Sequence, residues 1–281
     1  MNSNPFLTAI VMSVLAGCAW LPNLDTAPMT LDAAIAGAHR TPEFVARDRY
    51  RHPKATLEFF GLKPDMTVVE VWPGGGWYTE ILAPYLRAQG QYYAAGFVVS
   101  DDSAPEYRRA LTARFSKKLA AQPELYDRVV VTELGRPNQW RACPKGTADL
   151  VLTFRNVHNW MGADYERDMF DAFFTALKPG GVLGVVEHRA KPSTSLSRMK
   201  KSGYVTEDYV ITVAQKAGFR LLEKSEINAN PKDSANHPEG VWTLPPSLRL
   251  GEKNRAKYQA IGESDRMTLK FIKPVLVAPN S

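Results

Sequence analysis

Cysteine is scarce in this chain, which contains only Cys18 and Cys143 among 281 residues. Two cysteines exclude the framework of disulfides that stabilises many small secreted domains. The core must therefore fold by burying apolar side chains. Because 44% of the residues are hydrophobic and 23% are charged, the chain suits one α/β domain and would be cramped as two.

A long apolar run is also missing. The uncharged stretch over residues 6–18, FLTAIVMSVLAGC, is too short to span a bilayer and has the length of a signal peptide. Its end, Leu15-Ala16-Gly17-Cys18, resembles the lipobox of bacterial lipoproteins, although residues 1–17 contain no Lys or Arg. The resemblance implies a signal peptide over 1–17, an acylated Cys18 and a lipid-anchored protein on the periplasmic side of the cell envelope. The alternative is a buried apolar helix of a cytoplasmic protein.

A concentrated block of positive charge is absent as well. The formal net charge is +6, but Lys and Arg are spread along the chain, as on the predicted helix over 105–120. Solvated helix faces account for such a distribution, and no nucleic-acid motif accompanies it. We therefore expect no nucleic-acid partner, and membrane contact only through the lipid anchor. The sequence leaves the oligomeric state open.

Residues 31–281 are interpreted as one domain that follows a tether over 18–30. The domain begins with three short helices over 31–62. A core over 63–228 follows, and an excursion over 229–264, rich in Pro, Asn and charge, precedes a last strand over 265–275.

Within the core, short apolar segments alternate with amphipathic segments of ten or more residues. This alternation predicts a doubly wound α/β fold, in which helices cover both faces of a parallel sheet. The predicted strands are TVVEVW, QYYAAG, RVVVT, DLVLTF, GVLGVVEH, FRLLEKSEI and, after the excursion, DRMTLKFIKP. The predicted helices cover 77–88, 105–120, 163–177 and 206–217.

Three consecutive glycines, Gly74 to Gly76, separate the first strand from its helix. Glycines let a ligand approach the backbone N–H groups, and the following helix N-terminus favours an anion such as a carboxylate or a phosphate. An ordinary tight turn is the alternative. A dinucleotide fingerprint fails, because Thr79 stands where its third glycine belongs and Gly96 stands where the second strand would end in an acid.

Four motifs in order resemble the class I S-adenosylmethionine-dependent methyltransferases. They are Glu70-x-x-x-Gly74-x-Gly76, Asp149-Leu-Val-Leu, Leu177-Lys-Pro-Gly-Gly181 and Ala217-Gly-Phe219. More narrowly, WPGGGWYTEILAPYL, TFRNVHNW, EHRA and SGYV are similar to a group of predicted, exported bacterial methyltransferases. The resemblance implies a Rossmann-like, seven-stranded, mostly parallel sheet with an antiparallel last strand. It also implies S-adenosylmethionine as the cofactor and a small molecule as the methyl acceptor.

The resemblance further implies a set of cofactor-binding positions along the crevice. They are Glu70, Trp72, Pro73, Gly74, Gly75, Gly76, Gly96, Glu133, Arg155 and Asn156. Two of these depart from the family pattern: Trp72 replaces its first glycine, and Gly96 replaces the carboxylate that binds the ribose. Either Asp101 and Asp102 reach back from the following loop, or ribose recognition is weak.

Two histidines follow neighbouring predicted strands. His158 comes shortly after DLVLTF and His188 directly after GVVE, so both imidazoles should face the same crevice as candidate general bases. Glu187 is a further catalytic candidate, or else it pairs with Arg189 or another base. Structural histidines are the alternative. The three side chains also make a conceivable metal constellation, although no signature supports it and no metal is assigned.

Three functions remain open at this stage. The first is methyl transfer to a small molecule. The second is a non-catalytic ligand-binding module of the same fold in the cell envelope, since a fold does not fix a function. The third is a metal-dependent hydrolase that uses the two histidines. The basic segment over 189–204 either closes over an anionic substrate or forms a mobile loop.

Overall fold

The structure, a computed structural model, describes residues 28–275. The predicted signal peptide, Cys18 and most of the tether lie outside these residues. No helix in the described part of the chain is long and apolar enough to cross a membrane.

Seven strands form a single sheet. They are β1 (Thr67–Val71), β2 (Gln91–Gly96), β3 (Val129–Glu133), β4 (Ala148–Phe154), β5 (Leu177–His188), β6 (Arg220–Ser225) and β7 (Arg266–Ile272). Their order across the sheet is β3-β2-β1-β4-β5-β7-β6. Strands β1 to β5 pair in parallel, whereas β7 runs antiparallel to both β5 and β6. The predicted fold, including its antiparallel last strand, is confirmed.

The helices fall into two layers on the sheet. Their bounds are α1 (Leu31–Ala36), α2 (Pro42–Val45), α3 (Asp48–Arg51), α4 (Pro53–Phe59), α5 (Thr79–Leu86), α6 (Glu106–Ala121), α7 (Pro123–Tyr126), α8 (Val157–Gly162), α9 (Glu166–Ala176), α10 (Leu196–Ser202), α11 (Glu207–Lys216) and α12 (Arg255–Ile261). Side chains of α8, α9 and α11 share one buried cluster with alternate strand residues such as Val69. Side chains of α1, α4 and α5 share the other with residues such as Val68. Neighbouring strand residues therefore face opposite layers, as the period of two requires.

Several predicted bounds are corrected by the structure. The N-terminal segment forms four short helices instead of three, because the predicted helix that begins at Pro42 is divided at Ala46 and Arg47 into α2 and α3. Strand β5 starts at Leu177, earlier than expected. The basic segment over 189–204 contains α10, which is capped by Ser195 and ends at Gly203 with φ 73°. Serine caps and left-handed glycine are the usual signals for such ends.

Candidate functional site

The candidate site lies at the carboxyl ends of β1, β4 and β5. Strand order reverses between β1 and β4, and in an open α/β sheet this is the place where ligands bind. The glycine turn follows β1, the segment from Arg155 to His158 follows β4, and His188 ends β5. The sequence prediction that these segments meet is therefore correct in its geometry.

The glycine turn is an open cradle at one position. Gly74 and Gly76 have φ of 60° and 85°, values that favour glycine. A Cβ built on Gly74 would meet nothing within 4 Å, whereas one on Gly76 would lie 3.2 Å from the Phe115 ring. On Gly75 a Cβ would lie 3.4 Å from the Phe44 ring of α2. The N-terminal helices thus cover the turn, and only Gly74 leaves room for a ligand.

Glu70 of β1 is hydrogen-bonded to α5, the helix that follows the glycine turn. Its Oε2 accepts hydrogen bonds from the hydroxyl of Tyr92 and, at 3.1 Å, from that of Thr79, the first residue of α5. Burial raises the pKa of Glu70 to about 7, although both hydrogen bonds oppose the shift. This carboxyl group therefore fixes the helix behind the glycine turn.

Trp72 fills space at the position where the family has its first glycine. Its φ is 50°, its side chain is 7% exposed, and its indole N–H donates to the Leu134 carbonyl at 2.9 Å. The ring centroid lies 4.5 Å from that of Phe97 and 5.6 Å from that of Trp160, and the Arg108 guanidinium lies 5.2 Å away. The indole therefore occupies the region between the ends of β1, β2 and β4.

No carboxylate stands free at the end of β2. Gly96 ends that strand, and the Glu133 carboxylate accepts the N–H groups of Val99 and Ser100 at 2.8 and 2.9 Å. Asp101, one of the two residues that could reach back, accepts a hydrogen bond within its own loop, from the Ser103 N–H to Oδ1 at 2.7 Å. Hydrogen bonds from Ser103 lower the pKa of Asp101.

The cavity beside the glycine turn is small. It measures about 140 Å³ and is lined by Pro73, Gly74, Gly96, Glu133 and apolar side chains of α6. Ligand pockets usually measure about 300 to 1,000 Å³. A larger cavity of about 570 Å³ lies farther out, where Asp101, Arg108 and Asp168 contribute to its wall. The guanidinium of Arg108, which lines the larger cavity, lies 5.2 Å from the Trp72 ring.

Asn156 connects two strand ends. Its side-chain amide donates to the Val71 carbonyl at 2.9 Å and to the Thr153 hydroxyl at 3.3 Å. The side chain is 8% exposed, so the amide holds β1 and β4 together beneath the crevice. Asn156 thus fixes the position of the two strand ends that carry the glycine turn and the segment from Arg155 to His158.

His158, in α8 directly after β4, and Glu187, near the end of β5, form a buried pair. The His158 Nδ1 lies 3.1 Å from Glu187 Oε1, and the His158 backbone N–H donates to Oε2 at 3.2 Å. Since a carboxylate only accepts, Nδ1 carries the proton and Nε2 keeps a lone pair in the neutral ring. The alternative pairing with Arg189 is wrong, because Arg189 pairs with Asp265, Glu207 and Glu226.

His188 lies beside this pair but is held differently. Its ring centroid is 5.2 Å from that of His158, and its Nδ1 is 2.6 Å from the Ser264 hydroxyl. Burial, together with the charges of His158, Arg155 and other arginines, lowers the pKa of His188 well below its ordinary value. His188 is therefore neutral and bonded to a hydroxyl, whereas His158 is bonded to a carboxylate.

Sequence reasoning missed several groups around the histidines. Ser264 and Arg266 come from the end of the excursion and the start of β7, and Trp242 places its ring 6.1 Å from that of His158. Arg51 comes from α3. No local signal marks these residues, because they lie far from the histidines in the chain and share no motif with them.

No known family matches the chain, and no curated protein matches it either. Solved structures do match over most of its length. An S-adenosylmethionine-dependent methyltransferase from Aquifex aeolicus has a TM-score of 0.54 at 16% identity, with 81% of this chain and 93% of that chain covered. An arsenic(III) S-adenosylmethionine methyltransferase from Chlamydomonas reinhardtii has a TM-score of 0.52 at 14% identity, with 89% and 75% covered.

A third similar structure has a different activity in its name. The (4+2)-cyclase SpnF has a TM-score of 0.55 at 16% identity, with 80% of this chain and 81% of that chain covered. At these identities the comparisons establish the fold. The chain has the fold of the class I S-adenosylmethionine-dependent methyltransferases, which the sequence motifs predicted, and function must be argued from the site.

Proposed function

We propose that the protein transfers the methyl group of S-adenosylmethionine to a small molecule. The observation that carries this proposal is the open position beside Gly74, at the strand-order reversal of a methyltransferase fold, where the His158–Glu187 pair is formed at the carboxyl ends of the neighbouring β4 and β5. The cofactor, when bound, supplies an electrophilic methyl group. Residues of this chain bind the cofactor and take the proton from the acceptor.

The residues fit the cofactor at one end of the crevice only. The glycine turn offers an open cradle for its methionine end, whereas Trp72 fills the crevice nearby and Gly96 offers no carboxylate to a ribose. We therefore propose Pro73 and Gly74 as the contacts at the turn. Glu70, Glu133 and Asn156 act behind them by fixing α5, the loop after β2 and the ends of β1 and β4.

His158 is the proposed general base for the acceptor. Because Glu187 holds its Nδ1–H, the lone pair on Nε2 is available to take the proton from an O–H or N–H nucleophile. Glu187 then stabilises the imidazolium that forms. His188, neutral and bonded to Ser264, orients the acceptor or His158.

The proposal is tested by calorimetric titration of purified, ligand-free protein with S-adenosylmethionine and S-adenosylhomocysteine. We expect micromolar affinity. Gly74→Ala should weaken it at least about tenfold, or 1.4 kcal/mol, because its Cβ enters the open cradle. Gly61→Ala is the matched control, since Gly61 also has positive φ (81°) and no neighbour within 4 Å of a Cβ but closes α4 away from the crevice. Wild-type protein that binds neither compound would contradict the proposal.

A second candidate is a ligand-binding module without catalysis. Trp72 and Gly96 favour it, since Trp72 replaces a glycine of the family's turn and Gly96 replaces the carboxylate that binds the ribose. In that case the titrations would show no cofactor binding, while the crevice would still take another small molecule.

We further propose that the protein is a lipoprotein of the cell envelope, with its lipid on Cys18. Support comes from the apolar stretch and the lipobox-like end of residues 6–18. Labelled palmitate should be incorporated into the wild type, and Cys18→Ala should accumulate as an unlabelled precursor. Wild-type protein that keeps Met1 and stays in the cytoplasm would overturn this localisation.

A further inference from the structure

Three arginines converge on one carboxylate near the histidines. The Glu263 carboxylate pairs with the guanidinium groups of Arg47 (2.5 Å), Arg51 (3.3 Å) and Arg266 (2.8 Å). Arg51 and Arg266 are each 2% exposed and Glu263 is 4% exposed. Burial alone would raise the pKa of Glu263, but the charges of Arg51, Arg266 and their neighbours lower it to about 2. One carboxylate cannot balance three cations, so this part of the crevice carries excess positive charge.

Arg155 adds a fourth cation to this region. It follows β4 directly, and its backbone N–H donates to the Val186 carbonyl of β5 at 2.7 Å. Within residues 28–275, its guanidinium makes no hydrogen bond and no ion pair within 4 Å. Burial and the nearby charge of Arg266 lower the pKa of Arg155 to about 10. The Arg155 side chain is half-buried, so the N–H donors of its guanidinium remain open to a ligand.

The backbone at Arg155 is also strained. Its φ is 61°, an uncommon value for a residue with a side chain. Such conformations cost of order 1 to 3 kcal/mol and cluster at functional sites. Here the conformation places an arginine, rather than the glycine that would adopt it freely, at the end of the strand next to the order reversal.

The charge of Arg155 acts on both sides of the crevice. It is among the groups that lower the pKa values of Glu70, behind the glycine turn, and of His188, beside the catalytic pair. Tyr78, at the start of α5, is also within its electrostatic reach. Arg155 follows β4, which lies between β1, the strand before the glycine turn, and β5, the strand that ends at His188.

We propose that Arg155 binds a carboxylate or phosphate group of the ligand, with Arg51 and Arg266 adding to the positive field. A guanidinium matches such oxyanions with two parallel hydrogen bonds. The site thus selects an anionic molecule. Whether that molecule is the cofactor or the methyl acceptor depends on the function proposed above, whereas the binding of an oxyanion does not.

The same charges argue against a metal ion at the histidines. Ligand atoms of His158, Glu187 and His188 lie within 4.8 Å of one another. However, Glu187 already accepts three N–H groups, from the His158 backbone, the His158 ring and the His188 backbone. Several arginines act on the same place, so a divalent cation would meet repulsion where an anion meets attraction.

The test uses inorganic phosphate and acetate as probes, titrated at constant ionic strength against chloride and followed by calorimetry. Wild-type protein should bind phosphate, Arg155→Met should bind it at least tenfold more weakly, and Arg155→Lys should fall between them. Arg220→Met is the matched control, since Arg220 is exposed on β6 outside the crevice. Equal phosphate affinity in the wild type and Arg155→Met, or no binding to the wild type, would overturn the proposal. Because Arg155 has no protein partner, Arg155→Met should remain folded, and Arg155→Lys serves if it does not.

A second titration identifies the source of the oxyanion. S-adenosylhomocysteine carries an amino-acid carboxylate, and 5′-methylthioadenosine does not. If Arg155→Met weakens binding of the first compound alone, the carboxylate belongs to the cofactor. If it weakens neither but abolishes phosphate binding, the oxyanion belongs to the acceptor. Wild-type protein that binds neither nucleoside would contradict the proposed methyl transfer, while the phosphate titration would still decide the anion site.

Discussion

The two sides of the crevice are built in different ways. The side formed by β1, β2 and β3 is closed by aromatic rings around Trp72, and its carboxyl groups Glu70 and Glu133 are bound to the protein itself. The side formed by β4, β5 and β7 presents polar groups, among them the buried His158–Glu187 pair and the half-buried Arg155, whose guanidinium has no hydrogen-bond or ion-pair partner among residues 28–275. We propose from this difference that the second side binds a polar, anionic molecule, whereas the cavity of about 140 Å³ on the first side leaves little room for adenosine.

The largest effect should come from the histidine side. Loss of a general base costs a factor of about 10² to 10⁴ in rate. His158→Ala should therefore lose nearly all turnover, measured as transfer of a labelled methyl group to the acceptor in envelope extracts, and should still bind S-adenosylhomocysteine. His188→Ala should keep much more activity, because His188 is bonded to Ser264 rather than to a carboxylate. If His188→Ala lost more turnover than His158→Ala, His188 would be the general base instead of His158.

The next largest effect concerns Glu70 on the glycine side and is seen in how the free energy of unfolding depends on pH. Because burial raises the pKa of Glu70 to about 7 from its ordinary value of 4.5, the folded state favours the protonated group. Its stabilising contribution is complete below about pH 4.5 and is lost as pH rises through 7. Glu70→Gln keeps a neutral group, so its free energy of unfolding relative to the wild type should rise by up to about 3 kcal/mol between pH 4.5 and 8.

Urea unfolding at several pH values measures this difference. Glu223→Gln is the control, since Glu223 is exposed on β6 and should track the wild type at every pH. A constant offset between Glu70→Gln and the wild type would show that Glu70 does not titrate in this window.

A smaller effect is expected from the buried carboxylate of the histidine side. Glu187 is 0% exposed and accepts three N–H groups, whereas the amide of a glutamine has only one oxygen to accept them. Glu187→Gln should therefore lower the free energy of unfolding by about 2 kcal/mol. Urea unfolding at pH 7 measures it, and a loss no larger than that of Glu223→Gln would show that the pair contributes little to stability.

The smallest effect is expected from replacing Trp72, the residue that most distinguishes the glycine side of the crevice from the histidine side. Trp72→Gly suits the backbone, since φ is 50°, and it empties the region between the ends of β1, β2 and β4. If the indole restricts adenosine, affinity for S-adenosylhomocysteine should increase about tenfold, or 1.4 kcal/mol. Trp140→Ala removes an indole from the outer cavity and should leave this affinity unchanged. Weaker binding by folded Trp72→Gly would mean that the indole contacts the ligand instead.

Local patterns in the sequence were sufficient for the fold. Alternation of strand and helix segments predicted the parallel sheet, and glycines at Gly74 and Gly76, whose backbone favours residues without a side chain, marked the turn. Placement of His158 and His188 followed as well, because residues at the ends of adjacent parallel strands must meet at one edge. Short helices inside predicted loops, such as α8 and α10, were missed because few residues carry their signal.

Contacts between distant segments were decided by the tertiary structure alone. The sequence shows that Trp72 replaces a glycine, but only packing against Phe97 and Trp160 turns that replacement into a filled crevice. Likewise, the sequence does not show that Arg155 has no partner among residues 28–275, because this follows from the pairing of Glu263 with Arg47, Arg51 and Arg266 instead. Periodicity and turn chemistry act over a few residues and so can be read from the chain. Space filling and charge balance depend on which distant side chains arrive at the same place.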